Sequence, residues 1–463
     1  MAFSLFSMGL LIEPSLVFST VPITEETSYP AGFISILRVI LSLGVLCALA
    51  WGISSHRRAF PWRVVLGGLG LQVLLAVVLL RIPATSRLFE AFAGQVSVAI
   101  GMAEKGSIFL FGSLADASGP VGFVFAFRVL PVIVYFAAVM AVLYHLGIMP
   151  RIIAGMAWFM RRTLGVSGSE AVTVSANVLV GQTEAPLCVK PFLSLMTRSQ
   201  LMVVMASGFA TIAGSVFAGY VEFLGGADDA RRILFAKHLM TASLMSAPAA
   251  FVMAKIILPE MEQEPAETMA GTVAIERPAA NAIDAVVLGA SDGLRLALNV
   301  GAMLVAFVAI LALLDWPVAA LGDWGPIADW RNLHGHGAWS IQAGLGLLFR
   351  PAAWLIGAPS GDIAVVGRLL ATSVVATEFV AYLDLSSEVA GGGISQRGTI
   401  VVAYALCGFA NIPSMAIQVG GLSALAPTRR ADISSIAPRA LLAGVLACWC
   451  TATVASAFVG DAI

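Results

Sequence analysis

Long apolar runs separated by short polar turns set out eight spanning helices, at residues 33–53, 61–81, 119–147, 200–224, 231–257, 290–314, 396–424 and 437–459. Two further apolar stretches, 168–192 and 362–386, are interrupted by polar residues. The first, broken by Gly181 and Pro186, returns to Lys190 and Arg198 on its own side and so reads as a re-entrant hairpin; the second, around Glu378, enters from the opposite face. Residues 85–117 mix charge with apolar positions and read as an outer interfacial segment, as does the aromatic, glycine-rich stretch from Asp315-Trp316-Pro317 to Pro359. Residues 148–164 form an amphipathic helix on the inner surface, and 258–282, with Glu260, Glu262, Glu264, Glu267 and Glu276, read as a solvated loop without chemistry.

The charges then orient these elements. Arg57, Arg58 and Arg63, then Arg151, Arg161 and Arg162, then Lys190 and Arg198, and finally Arg429 and Arg430 all fall on one side, which the positive-inside rule makes cytoplasmic. Both termini are expected outside, in a cytoplasmic (inner) membrane. With 59% hydrophobic and 11% charged residues this is a polytopic membrane chain, and a net charge of -1 without a basic block argues against nucleic-acid partners. The first thirty residues hold an apolar patch but no basic segment before it, and Glu13, Glu25 and Glu26 follow, so they are not read as a cleaved signal. Cys47, Cys188, Cys407, Cys448 and Cys450 lie in apolar runs as packing residues, and His334 and His336 read as surface residues rather than a metal site. Arg128 is expected to snorkel or pair, and Asp292 with Arg295 to form a structural i,i+3 pair.

Candidate chemistry centres on Gly181-Gln182-Thr183-Glu184-Ala185-Pro186. A carboxylate at membrane depth costs about 2.5–3.5 kcal/mol even on lenient insertion scales, so it points to a function or a partner. Pro186 lacks the N–H that would bond the Gln182 carbonyl, which opens backbone beside the Glu. A second copy follows: Gly208-Phe209-Ala210-Thr211-Ile212 recurs as Gly408-Phe409-Ala410-Asn411-Ile412, and Thr183-Glu184 recurs as Thr377-Glu378. Two halves with matching interrupted segments mark a repeated transporter fold whose site lies at the repeat interface. Gly208, Gly214 and Gly219 permit unwinding in the first half. Pro413 is expected to break the second, freeing carbonyls around 409–411. Freed carbonyls with a hydroxyl suit a small hard cation such as sodium, whereas carboxylates with amides suit a polyhydroxylated solute. The blander alternative makes the two glutamates salt-bridge partners of Arg128, Arg295 and Arg368. A membrane-embedded hydrolase using Glu184 and Glu378 lacks any accompanying Ser/His, Cys/His or metal spacing, so the chain is not read as an enzyme. A channel would need pore-lining rings.

These residues also carry a family likeness. Ser55-His56-Arg57-Arg58 with Trp62-Arg63, the 181–186 segment, Glu378-Phe379-Val380-Ala381-Tyr382, Tyr404-Ala405-Leu406-Cys407-Gly408-Phe409-Ala410-Asn411, and Leu425-Ala426-Pro427 with Arg429-Arg430-Ala431-Asp432-Ile433 together resemble the concentrative nucleoside transporters, over essentially all of the chain after residue 33. The resemblance implies an all-α polytopic membrane protein of the shorter bacterial form, with eight transmembrane helices and two re-entrant helical hairpins in an inverted repeat, interfacial helices and a homotrimeric assembly in membrane lipid. It implies a sodium-coupled symporter that imports nucleosides by alternating access, with proton coupling as the alternative. By the same likeness Gly181, Gln182, Thr183 and Glu184 face the nucleobase, Val216 and Phe409 wall it, and Glu378, Asn411 and Ser414 take the ribose hydroxyls. Sodium would sit among Asn177, Val180, Thr211 and Ile212. The Gly181-Gln182 pair resembles that of broadly selective members, so uridine, cytidine and adenosine are all expected substrates. Thr377 stands where many members have Asn, and Pro413 where they have a small residue. The implied division is an N-terminal segment (1–32), scaffold helices with the inner interfacial helix (33–164), a first transport repeat (165–257), a cytoplasmic linker (258–289), a scaffold helix with the outer interfacial helix (290–358) and a second transport repeat (359–463).

Overall fold

The structure, a computed structural model, describes residues 33–116, 124–226, 228–262, 265, 266, 268, 279–325, 328 and 339–460. His334, His336, Glu264, Glu267 and Glu276 lie outside the described residues, as does the start of the third expected span. The described residues form helices in the order α1 (Phe33–Gly52), α2 (Trp62–Leu80), α3 (Pro83–Phe111), α4 (Phe125–His145), α5 (Ile148–Leu164), α6 (Gly168–Asn177), α7 (Arg198–Ala210), α8 (Gly214–Gly225) and α9 (Asp229–Ile257). There follow α10 (Ala282–Gly322), α11 (Ile341–Leu355), α12 (Ile363–Val375), α13 (Glu378–Ala390), α14 (Gln396–Ala405), α15 (Ile412–Leu425) and α16 (Arg430–Ser456). Among the described residues six helical segments are long and apolar enough to cross a membrane; of the other two expected spans, the first is the apolar helix α1 and the seventh is divided into α14 and α15.

The repeated sequence becomes a repeated arrangement. In the first half a hairpin is made by α6 and the 3-10 turn Ala185–Phe192; in the second it is made by α12 and α13, and the limbs of each hairpin pack on one another. Each hairpin precedes a divided helix, α7 with α8 and α14 with α15, and then a long one, α9 or α16. Polar caps start these pieces. Ser167 with Glu170 and Thr197 with Gln200 form reciprocal capping boxes at α6 and α7, while Ser395 caps α14 and Asn411 caps α15. The halves interleave, α7 and α9 both packing on α16 and α9 also on α14. Where they cross, the two copies of the glycine motif touch: a Cβ on Gly408 would lie 2.5 Å from the Phe209 carbonyl oxygen.

The fourth span does divide where its glycines were expected to permit unwinding, at residues 211–213 between α7 and α8. Other expectations change. The sixth begins at Ala282 and runs to Gly322, taking in the end of the expected linker and passing through Pro317, which removes one hydrogen bond near the end of the helix without stopping it. At about 60 Å, α10 exceeds the thickness of a bilayer and must tilt or project. Glu260 is docked rather than merely solvated: it accepts from the Thr197 hydroxyl (2.8 Å) and lies 3.5 Å from Lys255. Pro413 does not break a helix. It sits in the first turn of α15, where a missing N–H costs nothing, and the Phe409 carbonyl expected to be free accepts the Asn411 N–H at 2.9 Å.

Buried ion pairs clamp the outer elements. Arg128 bonds Glu104 and lies 2.6 Å from Glu222, and Arg232 lies 2.6 Å from Glu104 and 2.8 Å from Glu222, joining α3, α4, α8 and α9. Lys255 on α9 pairs with Glu170 on α6 at 2.7 Å, anchoring the base of the first hairpin. Removing one member of such a set would strand a buried charge, at about 3–5 kcal/mol.

Candidate nucleoside and cation site

The hairpin tips and helix breaks meet at a cavity of about 920 Å³, closed on the other side by α4 and α10. Nine expected solute-binding residues, Gly181, Gln182, Thr183, Glu184, Val216, Glu378, Phe409, Asn411 and Ser414, all line it. Local folding explains why. Thr377 caps α13 through the Val380 N–H, so Glu378 is the first residue of that helix; Glu184 likewise stands just before the 3-10 turn that carries Pro186. Each Thr-Glu pair thus marks the point where a hairpin turns back.

Glu378 is held tightly. Tyr220 donates to its Oε1 at 2.8 Å, Asn411 Nδ2 donates to its Oε2, and Asn411 Oδ1 accepts the Ser414 N–H at 2.7 Å. Tyr220 is fully buried, its ring 4.5 Å from that of Tyr382 and 4.8 Å from that of Phe379. Glu184 is held differently: it stands open to the cavity. Neither glutamate forms an ion pair among the described residues. Of the arginines of the blander reading, Arg128 is engaged as above and Arg368 with Glu388 and Asp384, while Arg295 lines the same cavity and pairs with Asp292 rather than with either glutamate.

The residues expected to hold a cation come together where the first hairpin tip meets the α7–α8 break. The Thr211 hydroxyl donates to the Asn177 carbonyl (3.0 Å) and lies 2.9 Å from the Ser207 carbonyl, while the Gly214 N–H ties the tip down through the Leu179 carbonyl (3.0 Å). In the orientation that satisfies both ends of its amide, Asn177 donates to the Gly181 carbonyl (3.1 Å) and accepts from Gly208 N–H (3.3 Å) and Ser207 hydroxyl (2.8 Å). Val180 and Ile212 adjoin these residues in the same two segments, and both are buried. Carbonyl and hydroxyl oxygens without a carboxylate are a hard, weakly charged donor set, which suits a monovalent cation as cargo.

Gly181, which lines the cavity, also meets a backbone requirement. Its φ is +106°, and a Cβ there would lie 2.6 Å from the Ala213 Cβ. The missing side chain therefore lets the hairpin tip close on the α7–α8 break.

Profiles for a Na+ dependent nucleoside transporter match residues 41–114 (N-terminus) and 238–456 (C-terminus), and a nucleoside recognition (Gate) profile matches residues 126–227. An uncharacterized transporter of Haemophilus influenzae is 39% identical over 92% of this chain and 98% of its own length. The chain belongs to the concentrative nucleoside transporter family. Its relatives include sodium/nucleoside cotransporter 1 of Mus musculus, 38% identical over 89% of this chain; the chain spans 62% of that longer protein. In structure it resembles CNTnw in an inward-facing substrate-bound state, with a TM-score of 0.82 and 37% identity, covering 92% of this chain and 98% of that one. Family membership, the all-helical fold and the apolar helices make this a multi-pass membrane protein of transporter type.

Some residues of this nucleoside transporter's cavity escape sequence reasoning. Behind the lining, the fully buried Tyr220 that holds Glu378 escapes it too, although its place one helical turn beyond Val216 on α8 puts both on one face. Asp292, Arg295 and Asn299 form a polar stripe on α10 that lines the cavity, and the Asp292–Arg295 contact is long, 4.0 Å, with both side chains mostly exposed. The expected i,i+3 pair is therefore present, but at the cavity wall. Cys188, read as a packing residue, also lines the cavity, with its sulfur 3.6 Å from the Tyr144 hydroxyl.

Proposed function

We propose that this protein is a sodium-coupled nucleoside symporter of the inner membrane that works by alternating access and accepts both purine and pyrimidine nucleosides. The observation that carries the reading is the pair of hairpin glutamates: Glu184 and Glu378 share one cavity, unpaired with any cation among the described residues, and each sits at a hairpin turn. Glu378 with Asn411 presents an oriented carboxylate and amide suited to two ribose hydroxyls. Gln182, Thr183 and Glu184 offer donors and acceptors to a base edge, and Val216 with Phe409 supplies apolar walls. Sodium would enter through the 177–180 and 211–212 oxygens. Because the 177–180 oxygens lie on the same hairpin as Gln182 and Glu184, an ion tying the hairpin tip to the α7–α8 break also orders half of the solute site, which is the physical basis of coupling. The named activity of the cotransporter relatives supports this assignment, as does the fit of the donor set. A homotrimer with the two hairpins re-entering from opposite faces, and with both termini outside, completes the proposal.

Uridine binding by the purified protein, measured calorimetrically in sodium and in choline, tests the reading. Tighter binding in sodium, with cytidine and adenosine competing, is expected. Equal binding in the two salts together with uptake driven by a pH step would replace sodium by protons.

A further inference from the structure

Gln418 lies one turn beyond Ser414 on α15, is 1% exposed, and reaches across to the first half of the molecule, where its Nε2 donates to the Met205 carbonyl at 3.1 Å. It meets Gln182, itself 8% exposed, at Gly208: a Cβ on that glycine would collide with Gln418 Nε2 and come within 2.8 Å of Gln182 Cβ. The bare Cα of Gly208 thus makes room for two glutamine side chains from opposite halves to approach. Both carry a buried side-chain oxygen, Oε1 in each case, that no donor reaches among the described residues. Such acceptors are seldom left unmet in a protein interior, and an ordered water commonly meets them.

We propose that Gln418 is a positioning residue for base recognition, holding with Gln182 one buried water between their two side-chain oxygens. The water donates one hydrogen to each oxygen. With its oxygen so engaged, the Gln182 amide cannot rotate freely, and its Nε2 stays turned to the cavity as a donor. Uracil, cytosine and adenine all carry in-plane acceptors, so a fixed donor at this place serves pyrimidines and purines alike. Gln418 never touches the solute in this account; it acts only through Gln182. The inference rests on the nucleoside-binding reading above.

The experiment is a double-mutant cycle read by uridine competition, with 2′-deoxyuridine as internal control for the ribose end. Gln418→Met keeps length and packing but loses the amide, and should weaken uridine about threefold to tenfold in the wild-type background, the usual worth of one neutral hydrogen bond. In a Gln182→Ala background the same change should cost less than twofold, because the group being positioned is gone. The ratio of uridine to 2′-deoxyuridine affinity, which reports on Glu378 and Asn411, should stay constant throughout. An unchanged uridine affinity in Gln418→Met, an equal loss in both backgrounds, or a shifted deoxyuridine ratio would each overturn the proposal, the last two by showing a general structural role. Should Gln418→Met fail to reach the membrane, Gln418→Leu serves in its place. A wild-type protein that binds no nucleoside at all would overturn the function itself, and with it this inference.

Discussion

Replacing Tyr220 by Phe removes one oxygen atom from the interior and leaves the rest of the packing in place, so its consequence can be worked out closely. The ring contacts to Tyr382 and Phe379 survive, and α8 keeps its buried face. What is lost is the 2.8 Å hydrogen bond that holds Glu378 Oε1. A hydrogen bond to a charged group contributes about 1.5–3 kcal/mol. Asn411 still holds Oε2, so the carboxylate keeps one of its two restraints, and the lower part of that range applies. Uridine affinity should then fall by roughly tenfold, each factor of ten being about 1.4 kcal/mol. The loss should be smaller for 2′-deoxyuridine or 3′-deoxyuridine, whichever hydroxyl Glu378 receives, because that analogue never used the contact in full. The assay is competition against labelled uridine in proteoliposomes, with expression and sodium dependence as controls for folding. An affinity within twofold of wild type would refute the idea that Tyr220 orients the ribose-binding carboxylate, and an equal loss for all analogues would refute its placement at the ribose end.

Three further outcomes follow from the same geometry. Glu184→Gln and Glu378→Gln should each abolish or severely weaken uptake while the protein still reaches the membrane, since each loses a charge-assisted hydrogen bond of about 1.5–3 kcal/mol; loss of expression instead would show a structural role. Thr211→Val should raise the sodium concentration needed for half-maximal uridine uptake, by removing one hydroxyl oxygen while keeping shape; an unaltered sodium dependence would take the cation out of this hairpin. Gly181→Ala should lower uptake of purine and pyrimidine nucleosides together, through a strained φ of about 1–3 kcal/mol and the clash with Ala213, and Ala213→Gly should restore part of it; a loss confined to purines would mean that Gly181 instead makes room beside the base.

Much of the architecture was legible because membrane helices write themselves as long apolar runs. The bounds of α2 and α5 agree with the sequence reading to within a residue, and the two Thr-Glu pairs upstream of the repeated glycine motif stand where the hairpins turn. What escaped has identifiable causes. Hydropathy cannot place a short break within an apolar run, and Pro413 drew attention to the wrong residue: the seventh span divides over residues 406–411, and the cap that begins α15 is Asn411. Nor can it see where an apolar helix ends when the flanking residues are themselves apolar, which is why α10 proved far longer than expected. Tyr220 and Gln418 were missed for another reason: each acts across the interface between the two halves, a contact that no local pattern in either half records. Gly181 adds a constraint that its own segment does not show, since the room for a side chain there is closed by Ala213 on a neighbouring segment.

The most direct test of the central claim is accumulation of labelled uridine in proteoliposomes holding the purified protein, with sodium outside and choline inside. A coupled symporter predicts that internal uridine rises above the external concentration while the sodium gradient lasts, falls back when a sodium ionophore collapses it, and shows neither effect in the Glu378→Gln variant. Uridine that merely equilibrates, at a rate indifferent to sodium and to that substitution, would contradict the account.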